Sequence, residues 1–238
     1  MSTVVAKTLI LIPAYNEAES VGQVIDDIRR EMSALNAQTD ILVIDDGSTD
    51  ETASLVKARG VDVIRLPFNG GIGVALQTGF KFALESGYQA IVRLDADGQH
   101  PARFIKDILH PVLSGKVDLC IGSRFMSSGG YQSSAMRRLG IVWFSTLIRL
   151  LFRIRISDPT SGFQAMNRNL ITLYSKRYAS DYPEVEALLN LLRKGFTVQE
   201  VPITMNERKG GRSSIDWFRS IYYAVKVTTI VLLALLKR

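Results

Sequence analysis

Four short apolar runs, each followed by a stretch of different spacing, constrain the first hundred residues of this chain more than any other feature. TLILIP (8–13), DILVIDDGS (40–48), VDVIRLP (61–67) and YQAIVRLDADG (88–98) read as strands. Between them, 19–35 places Val21, Val24, Ile25 and Ile28 at helical spacing. Residues 50–59 read as a second helix with Asp50 or Thr49 as its N-cap, and 74–86 as a third. Such alternation predicts a mostly parallel sheet with right-handed crossovers. Ligands bind such sheets at the carboxyl ends of the strands. Three of the runs end in polar motifs, P-A-Y-N-E, D-D-G-S and D-A-D-G-Q-H, which on one sheet edge would build one site.

The second half is less regular. MSSGGYQSS (126–134) has loop composition, and the apolar stretch 139–154 carries Arg149 and Arg153 one helical turn apart. That stretch fits an ordinary packed helix or one lying on a membrane surface. Pro183 suits the first position of the helix PEVEALLNLLRK, and FTVQEVPITM (196–205) reads as a further strand. The segment 221–236 is strongly apolar but broken by Lys226, and a membrane span takes about 20 residues. The reading is a catalytic domain over 1–215 and an apolar helix over 216–238. That helix would face a membrane surface, a small membrane protein or a second copy of the chain, or pack as an ordinary core helix.

Charge divides the chain. Residues 1–100 hold 8 Lys and Arg against 14 Asp and Glu, whereas 101–238 hold 21 against 9. The first part suits cations, the second phosphates or anionic lipid. Cys120 is the only cysteine, which excludes a disulfide framework within the chain and argues against a thiolate metal site. The N-terminus runs directly into TLILIPAY, so no signal peptide is expected and the cytosolic side is the default.

Asp95 and Asp97 follow an apolar strand and can reach one cation from one turn. Hard divalent cations take oxygen ligands and share their shell with substrate phosphates. Gln99 is the favoured additional oxygen ligand, with His100 nearby. Asp45 and Asp46 are placed to accept hydrogen bonds from ribose or base, or to complement a helix N-terminus. Pro13 stiffens the exit of the first strand, Tyr15 can stack on a base, and Glu17 adds an acid. N-G-G-I-G-V-A-L-Q-T-G (69–79) is not a dinucleotide fingerprint, which belongs at the first strand–helix turn. Its glycines suit close approach to a nucleotide.

Together P-A-Y-N-E, V-I-D-D-G-S-T-D, N-G-G-I-G-V-A, D-A-D-G-Q-H-P and G-S-R resemble the family 2 glycosyltransferases, within them the dolichyl- or polyprenyl-phosphate sugar synthases. D-P-T-S-G-F, Y-P-E-V-E and E-V-P-I-T-M-N-E-R-K-G-G-R-S-S resemble the bacterial branch, so that the likeness spans about residues 8–216. The resemblance implies an α/β GT-A fold, an inverting mechanism and a nucleotide sugar bound with Mg²⁺ or Mn²⁺. It implies Pro13, Tyr15, Glu17 and Asp46 around the nucleoside, Asp95, Ala96 and Asp97 at the pyrophosphate and metal, and Gln99 as a further ligand. Ile72 departs from the basic residue many relatives carry there.

A phosphate acceptor needs positioning and charge neutralisation, because its second pKa is about 6. Arg124 and Arg208 are the chosen residues, from a set including Arg137, Arg138, Lys209 and Arg212, with Ser213 and Ser214 as donors. Asp158 is expected beside the acceptor, as base or orienter, and Glu184 is a second candidate carboxylate. The expected activity is transfer from a UDP- or GDP-sugar, with UDP the more favoured, to an undecaprenyl or dolichyl phosphate at the cytosolic membrane face. A saccharide or protein hydroxyl acceptor is the alternative and would require a carboxylate base. A non-enzymatic basic module leaves the strand-end carboxylates unexplained, and no nucleic-acid motif is present.

Overall fold

The computed structural model describes residues 6–33, 39–126, 135–179 and 183–206. Seven strands form one sheet: β1 (Thr8–Ala14), β2 (Thr39–Asp45), β3 (Asp62–Arg65), β4 (Ala90–Arg93), β5 (Leu119–Ser123), β6 (Gln164–Asn167) and β7 (Val198–Pro202). Their order is β3-β2-β1-β4-β6-β5-β7. β1 lies parallel to β2 and to β4, and every one of its residues is buried. A near-continuous apolar run suits such a strand, which is covered on both faces.

Successive β1 side chains divide the core. Leu9 and Leu11 join a cluster with α3 (Ile72–Glu85), α6 (Arg168–Lys176), α7 (Pro183–Arg193) and the inner side of α5 (Ala135–Phe152). Ile10 and Ile12 face α1 (Val21–Met32), α2 (Thr52–Ala58) and α4 (Ile105–Leu113). This is the period-2 alternation of a strand between two helix layers. α1 buries Val21, Val24, Ile25 and Ile28, the stripe expected from spacing. Gly79 lets α3 lie against β1: a Cβ there would fall 2.3 Å from a Leu11 methyl carbon. Gly79→Val is expected to lower stability by about 1–3 kcal/mol in a urea melt, through overpacking.

Several expected boundaries shift. The fourth run pairs only over Ala90–Arg93, leaving its acids outside the sheet in a turn. α2 begins at Thr52 behind an N-cap, Glu51, that makes no side-chain cap bond. Asp50 instead accepts from Thr52 N (3.0 Å) and Ala18 N (3.1 Å), tying α2 to the start of α1. β6 runs antiparallel between β4 and β5, an insertion that alternation alone does not predict. The expected 216–238 helix, the 127–134 loop and the basic cluster from Arg208 onward lie outside the described residues. Among the described residues no helix is long and apolar enough to cross a membrane.

Candidate active site

The carboxyl ends of β1, β2 and β4 come together. Ala14 pairs with Asp45, and the next amide, Asp46 N, donates to Ala14 O at 2.8 Å. On the other side of β1, Leu94 N donates to Leu11 O at 3.2 Å, so β4 delivers Asp95 to the same edge. The P-A-Y-N-E turn is laced to the D-D-G-S turn: Asn16 N donates to Ser48 Oγ (2.9 Å), Thr49 N to Asn16 Oδ1 (2.8 Å) and Glu17 N to Thr52 Oγ1 (2.9 Å). Pro13 is buried, while Tyr15 is exposed at the rim. Glu17 accepts from Ser20 Oγ at 2.7 Å, at the start of α1.

The adjacent acids of β2 do different things. Asp45 is fully buried and accepts from Ser48 N at 2.9 Å, with the Arg65 guanidinium 3.3 Å away. Asp46 accepts from Gly70 N (2.8 Å) and Gly71 N (2.9 Å), drawing the glycine-rich turn ahead of α3 onto the site. Burial, joined by the Asp45 charge, raises the Asp46 pKa against the lowering effect of those two amides. Gly71 has φ +88°, a conformation glycine adopts without a Cβ penalty.

Asp95, Ala96, Asp97 and Gln99 form the turn after β4. Gln99 N donates to Asp97 Oδ1 at 3.0 Å, and Gly98, at φ +76°, lets the chain reverse. Asp95 Oδ1 is buried with no hydrogen-bond partner among the described residues. A buried acceptor left unmade is costly, and a cation would satisfy it. Among the described residues no group of three or more His, Cys, Asp or Glu comes together as a metal cage. Two carboxylates with oxygens from a substrate are the donor set of a Mg²⁺-type ion. Asp95 and Asp97 therefore fit such an ion, with Gln99 beside them.

His100 accepts from Asp95 N through Nδ1 at 3.0 Å and stacks on Phe163. Burial depresses its pKa, against the raising charges of Asp95 and Asp97 and with the lowering charges of Arg124 and Arg93. An imidazole accepting through Nδ1 is neutral with its proton on Nε2. It lies where the D-A-D turn meets the end of β5.

There Arg124 and Asp158 form a closed pair. Arg124 Nε and Nη2 each donate to the fully buried Asp158 carboxylate at 2.6 Å, and Arg124 N adds a bond at 3.1 Å. Thr160 Oγ1 accepts from Arg124 Nη2 at 2.9 Å. Glu200, on β7, accepts from Ser157 N and Asp158 N, both at 2.7 Å, and fixes this loop from below. Burial raises the Glu200 pKa, with the Asp158 charge adding to it against those amide bonds. The Asp158 carboxylate is occupied by these bonds, a geometry suited to orienting Arg124 rather than to reaching a substrate proton.

Sequence reasoning missed Arg93 and Glu200. Both are charged residues inside strand-like runs, A-I-V-R-L and V-Q-E-V-P, and that contradiction was the available signal. Arg93 is 1% exposed and donates to Glu184 Oε1 at 2.6 Å. Glu184 is thus joined to β4, directly behind the acidic turn. Arg208, Ser213 and Ser214 lie outside the described residues; Asn206, near the end of the described chain, donates to Gln99 O at 3.0 Å.

A mostly parallel sheet between helices, with an acidic turn after β4 and a carboxylate at the end of β2 on the far side of β1, defines a GT-A glycosyltransferase fold. The family described as "Glycosyl transferase family 2" matches residues 9–173, and the chain belongs to that family. It is 32% identical over 223 residues to a polyprenol monophosphomannose synthase of Mycolicibacterium smegmatis, covering 88% of this chain and 81% of that one. It is 31% identical over 222 residues to an undecaprenyl-phosphate mannosyltransferase of Micrococcus luteus, covering 88% of each. Among solved structures, glucosyl-3-phosphoglycerate synthase of Mycobacterium tuberculosis, in complex with Mn²⁺, UDP-glucose and phosphoglyceric acid, superposes with a TM-score of 0.68. Its sequence is 23% identical, with 87% of this chain and 73% of that one covered. The chain is accordingly a glycosyltransferase.

Proposed function

We propose that this glycosyltransferase moves a sugar, with inversion, from a UDP-sugar to a polyprenyl phosphate at a membrane surface. The observation that carries the reading is the buried, unpartnered Asp95 Oδ1 beside Asp97, at an edge shared with the Asp46-held glycine turn. The polyprenol monophosphomannose synthase and undecaprenyl-phosphate mannosyltransferase relatives support the acceptor class, and the structural neighbours bound to UDP or UDP-glucose with Mn²⁺ or Mg²⁺ support the donor. Asp95, Asp97 and Gln99 hold the ion in this reading, and Pro13, Tyr15, Glu17 and Asp46 surround the nucleoside. When bound, the ion neutralises charge on the departing diphosphate.

The remaining work belongs to the chain. The acceptor phosphate is ionised near neutral pH and attacks the anomeric carbon as the bond to the diphosphate breaks. Asp158 fixes the Arg124 guanidinium, whose charge steadies the acceptor phosphate at the end of β5. Arg208, outside the described residues, is assigned to the same phosphates on the resemblance of E-V-P-I-T-M-N-E-R-K-G-G-R-S-S alone. No general base is required, consistent with the occupied Asp158 carboxylate. The catalytic unit comprises residues 1–215, and 216–238 docks on the membrane or on a small membrane protein or second copy.

α5 supports the membrane placement. Arg138, Val142, Trp143, Thr146, Arg149 and Leu150 are exposed and lie on one face, while Ile141, Phe144 and Ile148 are buried on the other. Its 18 residues include no acid. Apolar and aromatic side chains flanked by arginines suit the headgroup layer of an anionic bilayer. Trp143→Ser with Leu150→Ser is expected to weaken sedimentation with anionic vesicles at least tenfold while leaving UDP binding unchanged. Equal sedimentation would remove α5 from the docking face.

A panel of UDP- and GDP-sugars tests the donor. UDP-sugars with Mn²⁺ are expected to raise the melting temperature and EDTA to abolish the shift; a shift that survives EDTA would contradict the metal-linked donor site.

A further inference from the structure

Arg93 is a buried cation two residues before the proposed metal ligand, in an otherwise apolar strand. Its Nη2 donates to Glu184 Oε1 at 2.6 Å but stops 3.8 Å from Asp95 Oδ1, beyond hydrogen-bond range. Its Nε and Nη1 have no hydrogen-bond partner among the described residues, and neither has Asp95 Oδ1. A guanidinium with spare donors therefore lies next to a carboxylate oxygen with a spare acceptor, and the two meet only as a 3.8 Å ion pair without a hydrogen bond. Arginine stays protonated in proteins, so the Arg93 side chain is a buried cation.

The contact is close enough to form with a small motion. Gly162 borders the gap: a Cβ there would lie 3.0 Å from Asp95 Oδ2 and 3.3 Å from Arg93 Nη2. The backbone thus leaves room for both groups, and Arg93 is bonded instead to Glu184 at the start of α7. Arginine–carboxylate pairs in buried surroundings are strong when they close. If Arg93 closed on Asp95, it would occupy the oxygen that the ion needs.

We propose that Glu184 is a positioning residue that holds the Arg93 guanidinium off Asp95 and so keeps Oδ1 available to a divalent cation. This rests on the metal reading of the preceding section. It assigns Glu184 a role through Arg93, without contact with the reacting atoms.

Mn²⁺ titrations of the full chain with UDP present, followed by the electron paramagnetic resonance of free Mn²⁺, test it. Glu184→Gln keeps the shape and removes the charge, so Arg93 turns to Asp95 and Mn²⁺ binding weakens at least tenfold, within the 10–100-fold typical of groups behind a metal ligand. Glu184→Asp keeps the charge and is expected to stay within about threefold of wild type. Adding Arg93→Met to Glu184→Gln removes the competitor, and the double variant is expected to recover wild-type affinity within about threefold. Neutral replacement of a buried pair is tolerated better than loss of one partner, so the double variant folds even if the single one melts early. A merely structural pair would lower the melting temperature of Glu184→Gln and leave Mn²⁺ affinity unchanged. Unchanged affinity in Glu184→Gln, or a folded double variant still tenfold weak, overturns the proposal. Wild type that binds no Mn²⁺ with UDP overturns the metal reading itself, and the proposal with it.

Discussion

Asp95→Asn is expected to lower transfer about 1000-fold or more while leaving the melting temperature within a few degrees of wild type. The two halves of that expectation have separate causes. An ion that neutralises a leaving diphosphate contributes several kcal/mol to the transition state, and about 4 kcal/mol corresponds to 1000-fold. Replacing the carboxylate with an amide removes most of that by weakening the metal. The fold loses little, because Asp95 Oδ1 has no hydrogen-bond partner among the described residues to lose. Steady-state rates with saturating Mn²⁺, read beside a thermal melt, separate the effects. A large fall in melting temperature with near-normal rates would mean that Asp95 serves the fold.

Asp158→Asn is expected to behave in the opposite way, with stability and activity falling together. The substitution removes the charge opposite Arg124, whose side chain is 9% exposed. Breaking a buried ion pair by removing one partner costs about 3–5 kcal/mol, which a urea melt detects directly. Activity falls because Arg124 is no longer aimed. Replacing both residues, Asp158→Asn with Arg124→Met, should recover much of the stability and none of the activity. If Asp158 were instead a base for a hydroxyl acceptor, azide or formate would restore part of the rate of Asp158→Asn. No rescue is expected.

The contrast between these two aspartates reflects how differently the sequence exposes them. The strands before Asp45 and Asp95 are legible because each is an apolar run broken by acids, and the sheet edge follows from alternation alone. The α1 stripe is legible for the same reason, since Val21, Val24, Ile25 and Ile28 recur at helical spacing. β6 is not legible in this way. It is four residues long, antiparallel and entered from D-P-T-S-G-F, so its place follows from pairing with β4 and β5 rather than from a local pattern. β5 is only one residue longer, and L-C-I-G-S carries no alternation to separate it from a buried helix segment.

Side-chain pairing was the least legible layer. Nothing in D-D-G-S shows that the Asp46 carboxylate accepts from Gly70 N and Gly71 N, 24 and 25 residues away. Nothing in G-S-R or D-P-T-S-G-F pairs Arg124 with Asp158, yet they bond across a separation of 34 residues. Glu184 could equally have complemented its own helix, and only the fold shows that it reaches β4. Contacts between distant segments leave no periodic trace. What remains in the sequence is the misfit itself, an arginine or glutamate inside an apolar strand, which Arg93 and Glu200 share.

The central claim, metal-linked transfer to a lipid phosphate, is tested most directly by one transfer assay. Purified full-length protein is incubated with radiolabelled UDP-sugars and polyprenyl phosphate in anionic vesicles, with Mn²⁺ or with EDTA. At least one UDP-sugar is expected to give an organic-extractable, mild-acid-labile product with Mn²⁺ and none with EDTA. Label transferred only to aqueous hydroxyl acceptors, or lipid product formed equally in EDTA, would contradict the account.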